Sequence, residues 1–213
     1  MRIFKHGHSC VRLETGDHAV VIDPGSLTDV DAVRGATAVL VTHEHADHWT
    51  PEALRAADAP VFTIEAVAAQ VRQQAPDVAE RVTVIRPGDA FDVGVPARAV
   101  GEKHAVIHPE LPHFDNSGYL VTVDGTTIFH PGDALTVPEE TPDLLLLPVS
   151  APWMKISECI DYARAVAAPR SLAIHDAIYS EAGLGVADRH LGRFLGEREL
   201  EYVRLSAGDE LST

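Results

Sequence analysis

The chain has 213 residues, 46% of them hydrophobic and 23% charged. That balance excludes a disordered polymer and leaves enough material to bury about 70% of the unfolded surface. A net charge of −15 has the wrong sign for non-specific capture of nucleic acid or of an anionic membrane surface. No apolar run approaches the roughly 18 residues of a membrane span, and residues 1–8 lack the apolar segment of an export signal. One domain over 1–213, soluble and cytoplasmic, is therefore expected.

In chain order, residues 11–14 and 18–23 are β-branched runs flanking Thr15-Gly16-Asp17, the pattern of a hairpin. Residues 38–42 form an apolar run suited to a strand buried on both faces. Thr50 and Pro51 suit the cap and first position of a helix to about residue 57. A strand is predicted over 60–64, a helix over 65–74 and a strand over 82–85. In the second half, strands are predicted over 97–100, 119–123, 127–130, 144–149, 172–174 and 202–205. Ser157 is expected to cap a helix to about residue 168, and Asp188 another to about residue 195. Each half thus runs strands first and helices after, which predicts an α+β fold of two packed sheets with helices outside. Cys10 and Cys159 are too few for a disulfide scaffold and read as buried free thiols.

Twelve histidines are more informative than the charge, because several cluster. His43-Glu44-His45-Ala46-Asp47-His48 follows directly on the strand at 38–42. In extended chain, residues two apart point to one side, so His43 and His45 converge on one ion. The chain then turns towards Thr50, which aims Asp47 and His48 at a second ion nearby. Imidazole with carboxylate suits zinc, iron or manganese better than calcium or magnesium alone.

HxHxDH after a buried strand is the signature of the metallo-β-lactamase superfamily, which the chain resembles over nearly its whole length. Gly7-His8-Ser9 with Ile22-Asp23-Pro24-Gly25 resembles the family's first strands. Gly118-Tyr119-Leu120 with Phe129-His130-Pro131-Gly132-Asp133 resembles the strand pair that ends in a metal-bridging aspartate, and Ala173-Ile174-His175-Asp176 the late strand that delivers a histidine. The style is similar to the compact branch that includes the L-ascorbate-6-phosphate lactonase.

The resemblance implies a four-layer αββα sandwich with two divalent ions, zinc before manganese or iron. It assigns His43, His45 and His104 to the first ion, Asp47, His48 and His175 to the second, and Asp133 to the bridge. His108 and His113 compete with His104 within one loop. Asp23 is expected to orient ligand histidines through hydrogen bonds. His8 and Ser9 are expected to shape the loop beneath the site, His130 to pack in its strand, and His6, His18 and His190 to lie on the surface or in packing. Trp153, Met154 and Tyr179 can belong either to the core or to the rim of the site.

The implied chemistry is hydrolysis by a metal-activated hydroxide, with Asp47 orienting it and passing a proton to the leaving group. The expected substrate is a small phosphorylated, lactone or ester molecule; the substrate-binding residues and the oligomeric state are not readable. The alternative is a nuclease or phosphodiesterase, against which scattered Lys and Arg argue. An iron redox enzyme, a metal-binding module without catalysis and a true β-lactamase fit less well.

Overall fold

The computed structural model describes residues 1–211. Fourteen strands and four α-helices are seen among them: β1 Arg2–Lys5, β2 Val11–Thr15, β3 His18–Ile22, β4 Ala38–Val41, α1 Pro51–Ala57, β5 Val61–Thr63, α2 Glu65–Gln74, β6 Val82–Val84, β7 Ala90–Asp92, β8 Pro96–Val100, β9 Gly118–Val123, β10 Thr126–His130, β11 Leu144–Pro148, α3 Ile156–Val166, β12 Arg170–Ile174, α4 Glu181–Gly196, β13 Glu201–Val203 and β14 Glu210–Leu211. They build two seven-stranded sheets, ordered β14-β1-β2-β3-β4-β5-β6 and β13-β12-β11-β10-β9-β8-β7. In each sheet the strands that come first in the chain pair antiparallel and the following ones parallel, β1 to β3 against β3 to β6 and β7 to β10 against β10 to β13, while β14 returns to pair antiparallel with β1.

The period of two along a strand explains the layering. In β4, Ala38 and Leu40 enter the core between the sheets, and Val39 and Val41 pack outward with Leu54 of α1 and Val67 and Val71 of α2. In β11, Leu144 and Leu146 face inward, and Leu145 and Leu147 pack against Ile160 and Ala163 of α3 and Leu191 of α4. Three apolar layers between four layers of secondary structure make the αββα sandwich. Tyr119 ties the two sheets together, its hydroxyl donating to the Val41 carbonyl at 2.8 Å.

Thr50 caps α1 as the sequence predicts, its Oγ1 accepting from Ala53 N–H at 3.1 Å. Two helix starts differ from expectation. α3 begins at Ile156 because the Glu158 carboxylate reaches back to Lys155 N–H at 2.7 Å. α4 begins at Glu181 under a Ser180 cap, and Asp188 lies inside it, accepting from the Tyr202 hydroxyl at 2.8 Å. Gly183 and Gly185 in its first turns weaken the helical signal there. β1 also precedes the segment expected to come first, so His8 and Ser9 lie between two strands. Both cysteines are buried and free; burial pushes the Cys159 thiol to about 12 and raises Cys10 as well, so both stay neutral. No helix among the described residues is long and apolar enough to cross a membrane.

Candidate metal centre

The sheets share an edge where the parallel strands β3, β4, β11 and β12 end, and the histidines collect there. Asp23 follows directly on β3 and His175 on β12, both held in the left-handed region at φ +52° and φ +54°. Non-glycine residues take that conformation at a cost repaid by their surroundings. The loop from β4 carries His43 to His48, and a close backbone approach by Gly25 sets its path. A Cβ at Gly25 would stand 1.8 Å from the Asp47 carbonyl oxygen, so only glycine fits. Asn116 fixes the turn after β10, donating to the Pro131 carbonyl at 2.9 Å and accepting from Asp133 N–H at 3.0 Å.

Two groups of ligand atoms result. His43, His45, His104 and Asp133 form one, and His8, Asp47, His48 and His175 the other, with the atoms of each group within 4.8 Å of one another. Asp133 stands between them. Its Oδ1 is 3.1 Å from His48 Nε2, and its Oδ2 is 3.0 Å from His175 Nε2 and 3.4 Å from His104 Nε2. Asp47 Oδ2 lies 3.7 Å from His175 Nε2 and 3.9 Å from His48 Nε2.

The hydrogen bonds around this cage determine which nitrogens carry lone pairs. His48 Nδ1 donates to Asp23 Oδ2 at 2.7 Å, His104 Nδ1 to the Ala105 carbonyl at 2.5 Å, and His175 Nδ1 to the Ser150 carbonyl. In its neutral form each ring is thereby fixed with a bare Nε2 turned inward. Thr42 donates its hydroxyl to Asp23 Oδ2 at 2.7 Å and accepts from His43 Nδ1 at 3.0 Å, which bares His43 Nε2 in the same way. His43 Nε2 then faces His45 Nδ1 at 3.0 Å. Nε2 of His48, His104 and His175 and Oδ1 of Asp133 are buried without any hydrogen-bond partner. Orphaned buried acceptors are costly, and acceptors facing one another at 3 Å need either a proton or a metal cation between them. The donor set therefore fits a divalent transition ion or zinc.

Charge follows the same geometry. Burial, reinforced by His48 and His45, drives His43 well below the ordinary imidazole range, and burial with His104 lowers His45. Burial opposes charge on His48, yet Asp133 and Asp23 outweigh it and raise this ring well above the ordinary value. His175 is raised in the same sense, burial again losing to Asp133. Burial likewise opposes ionisation of Asp133, and the neighbouring His48 and His175 overcome it, holding the carboxyl well below its usual range.

All seven residues assigned to ions by resemblance come together here, and Asp23 sits behind them. Of the three competing histidines in one loop, His104 is buried at the cage; His108 is exposed, and exposed His113 approaches the His104 carbonyl at 2.7 Å. His130 packs as expected, donating from Nε2 to the Ser9 carbonyl at 2.9 Å. Tyr179 is exposed rather than packed. Trp153 belongs to the rim, its Nε1 donating to Asp133 Oδ2 at 3.2 Å. Sequence reasoning missed Thr42, Asn116 and Ser150, and it placed His8 beneath the site when that ring enters it. Thr42 adjoins the motif and Asn116 stands just before Gly118, but a hydroxyl or amide carries no spacing signature.

A family model described as "Beta-lactamase superfamily domain" matches residues 2–175. The chain is similar to protein Rv0786c of Mycobacterium tuberculosis, 39% identical over 87% of this chain and 89% of that protein. It is also similar to a UPF0173 metal-dependent hydrolase of Bacillus licheniformis, 31% identical over 62% of this chain and 63% of the relative. Among solved structures, the metallo-β-lactamase fold protein YhfI from Bacillus subtilis superposes with a TM-score of 0.75, covering 99% of this chain and 98% of its own, at 15% identity.

Proposed function

The chain belongs to the metallo-β-lactamase superfamily of metal-dependent hydrolases, and from that premise we propose that it holds two divalent ions and hydrolyses a small phosphorylated, lactone or ester substrate. One observation carries the proposal: the bare Nε2 atoms of His48, His104 and His175 converge on Asp133, between two groups of ligand atoms. His43, His45 and His104 would hold one ion, Asp47, His48 and His175 the other, and Asp133 would face both. Zinc suits this set best, with manganese or iron the alternatives.

When bound, such ions supply a water acidic enough to attack at neutral pH and polarise the bond it attacks. The protein's own residues do the rest. Of the two cage carboxylates, Asp133 has a side chain only 4% exposed and Asp47 one that is 30% exposed, so Asp47 faces the substrate. Asp47 would orient the attacking water and return a proton to the leaving group. Trp153 holds Asp133 in place and walls the site with Phe114, whose ring lies 4.8 Å from that of His45. The loop 104–116 and the segment around Trp153 surround this opening, and selectivity is expected to reside there.

The test is elemental analysis of protein purified without chelators or a polyhistidine tag. The expected result is about two ions per chain, reduced by His45→Ala and by Asp133→Ala. The metal so identified is then used with panels of phosphoesters, lactones and esters. Failure to take up zinc, manganese or iron on reconstitution would overturn the proposal.

A further inference from the structure

His8 differs from His43, His48, His104 and His175 in the direction of its hydrogen bonds. It lies between β1 and β2, is fully buried, and its backbone carbonyl accepts from His175 N–H at 2.8 Å. Its Nδ1 accepts the N–H of Ala177 at 3.1 Å. A backbone amide can only donate, so Nδ1 carries the lone pair and the ring hydrogen resides on Nε2. In His48 and His175 the arrangement is reversed, Nδ1 donating and Nε2 bare. Proximity alone groups His8 with Asp47, His48 and His175, but a protonated Nε2 has no lone pair to give an ion.

The His8 Nε2–H is buried, lacks a partner in full hydrogen-bond geometry, and faces Asp47 Oδ2 at 3.3 Å. Asp47 is the more exposed cage carboxylate, its side chain 30% exposed against 4% for Asp133. We propose that His8 is a positioning residue, a hydrogen-bond donor that anchors the Asp47 carboxylate, and not a further metal ligand. Its tie to the Ala177 amide, two residues past His175, makes it a brace between the ligand-bearing loop after β4 and the end of β12. The donor role rests on the two-ion reading only where Asp47 is named as a ligand; the ring tautomer does not depend on it.

The experiment is a long-range proton–nitrogen correlation spectrum of the histidine rings at mildly alkaline pH, metal-free and zinc-loaded, with His8 assigned by its loss in His8→Gln. Both states are expected to show His8 with hydrogen on Nε2 and a bare Nδ1. Zinc titrations accompany it. His8→Ala is expected to weaken one of two zinc equivalents roughly 10–100-fold, the usual cost of losing a group that orients a ligand. His8→Gln, whose carboxamide N–H reaches about as far as Nε2, should restore most of that affinity, and His8→Phe, which fills the space without donating, should not. A zinc-shifted, deprotonated Nε2 would make His8 a ligand and overturn the proposal. Full zinc affinity in His8→Phe would reduce the ring to a filler and overturn it as well. If the protein takes up no zinc, the two-ion reading fails, while the metal-free spectrum still decides the tautomer: hydrogen on Nδ1 would refute the donor role.

Discussion

Asp23 Oδ2 stands 2.7 Å from His48 Nδ1, and both side chains are fully shielded from solvent. The same oxygen takes the Thr42 hydroxyl at 2.7 Å, and Thr42 in turn receives His43. One carboxylate thus orients one histidine in each ligand group, which is why its strand end can bear an unfavourable backbone angle.

Replacing that carboxylate should be felt in both ligand groups. Asp23→Asn leaves one oxygen where two accept from Thr42 N–H, the Thr42 hydroxyl and His48, and is expected to lower zinc affinity roughly 10–100-fold, read by competition with a chromophoric chelator. Thr42→Val should affect mainly the group containing His43. Affinity within twofold of the parent in both variants would show that the relay is dispensable.

Asp47 is assigned both to an ion and to proton handling. Asp47→Ala is expected to lower kcat by about 10²- to 10⁴-fold on the best substrate from the panels. Full turnover with both ions retained would remove Asp47 from the chemistry.

Metal uptake should be strongly pH-dependent, and the sign follows from His48 and His175. Both rings are raised above their ordinary values by neighbouring carboxylates, so in metal-free protein their protons are held to higher pH than on a free imidazole. An ion must displace those protons, so affinity rises with pH and falls on acidification. Titration calorimetry in buffers of differing ionisation enthalpy should record net proton release; a pH-independent affinity would contradict this account.

Gly25→Ala tests the close approach to the ligand loop. Overpacking of this kind costs about 1–3 kcal/mol, and here the added methyl would push on the Asp47 backbone. A lower denaturation midpoint together with weaker metal binding is expected. An unchanged midpoint would mean that the loop yields freely.

Lys5 and Asp176 form a buried pair, Nζ lying 2.9 Å from each carboxylate oxygen. Lys5→Met strands the Asp176 charge and should cost about 3–5 kcal/mol in denaturant unfolding. The double variant Lys5→Met with Asp176→Leu should recover much of that, because removing both partners leaves no orphaned charge.

The strands were legible wherever burial was two-sided or alternating, as in β4 and β11, because side-chain period alone specifies them. β1, β7 and β14 were not: Arg2, Lys5 and Glu210 interrupt short segments, and β1 and β14 gain strand character by pairing with each other, as β7 does by pairing with β8. The ligand motif was legible because His43, His45, Asp47 and His48 are local in sequence. The partners contributed by distant segments needed the family resemblance, and the bonds that orient them needed coordinates. His8 is the clearest case: nothing in Gly7-His8-Ser9 reveals an Ala177 amide beside its ring.

The ligand atoms come from both sheets, His43 to His48 from the loop after β4 and His104, Asp133 and His175 from loops leaving β8, β10 and β12. An ion seated among them would act as a further cross-link between two slabs already joined by apolar contact, the Tyr119 strut, the buried Lys5–Asp176 pair and the His175 N–H bond to the His8 carbonyl. Its departure would then loosen a seam as well as silence a site. Amide exchange along that edge should quicken in both sheets together, a cooperative opening governed by metal supply rather than by the strength of either slab.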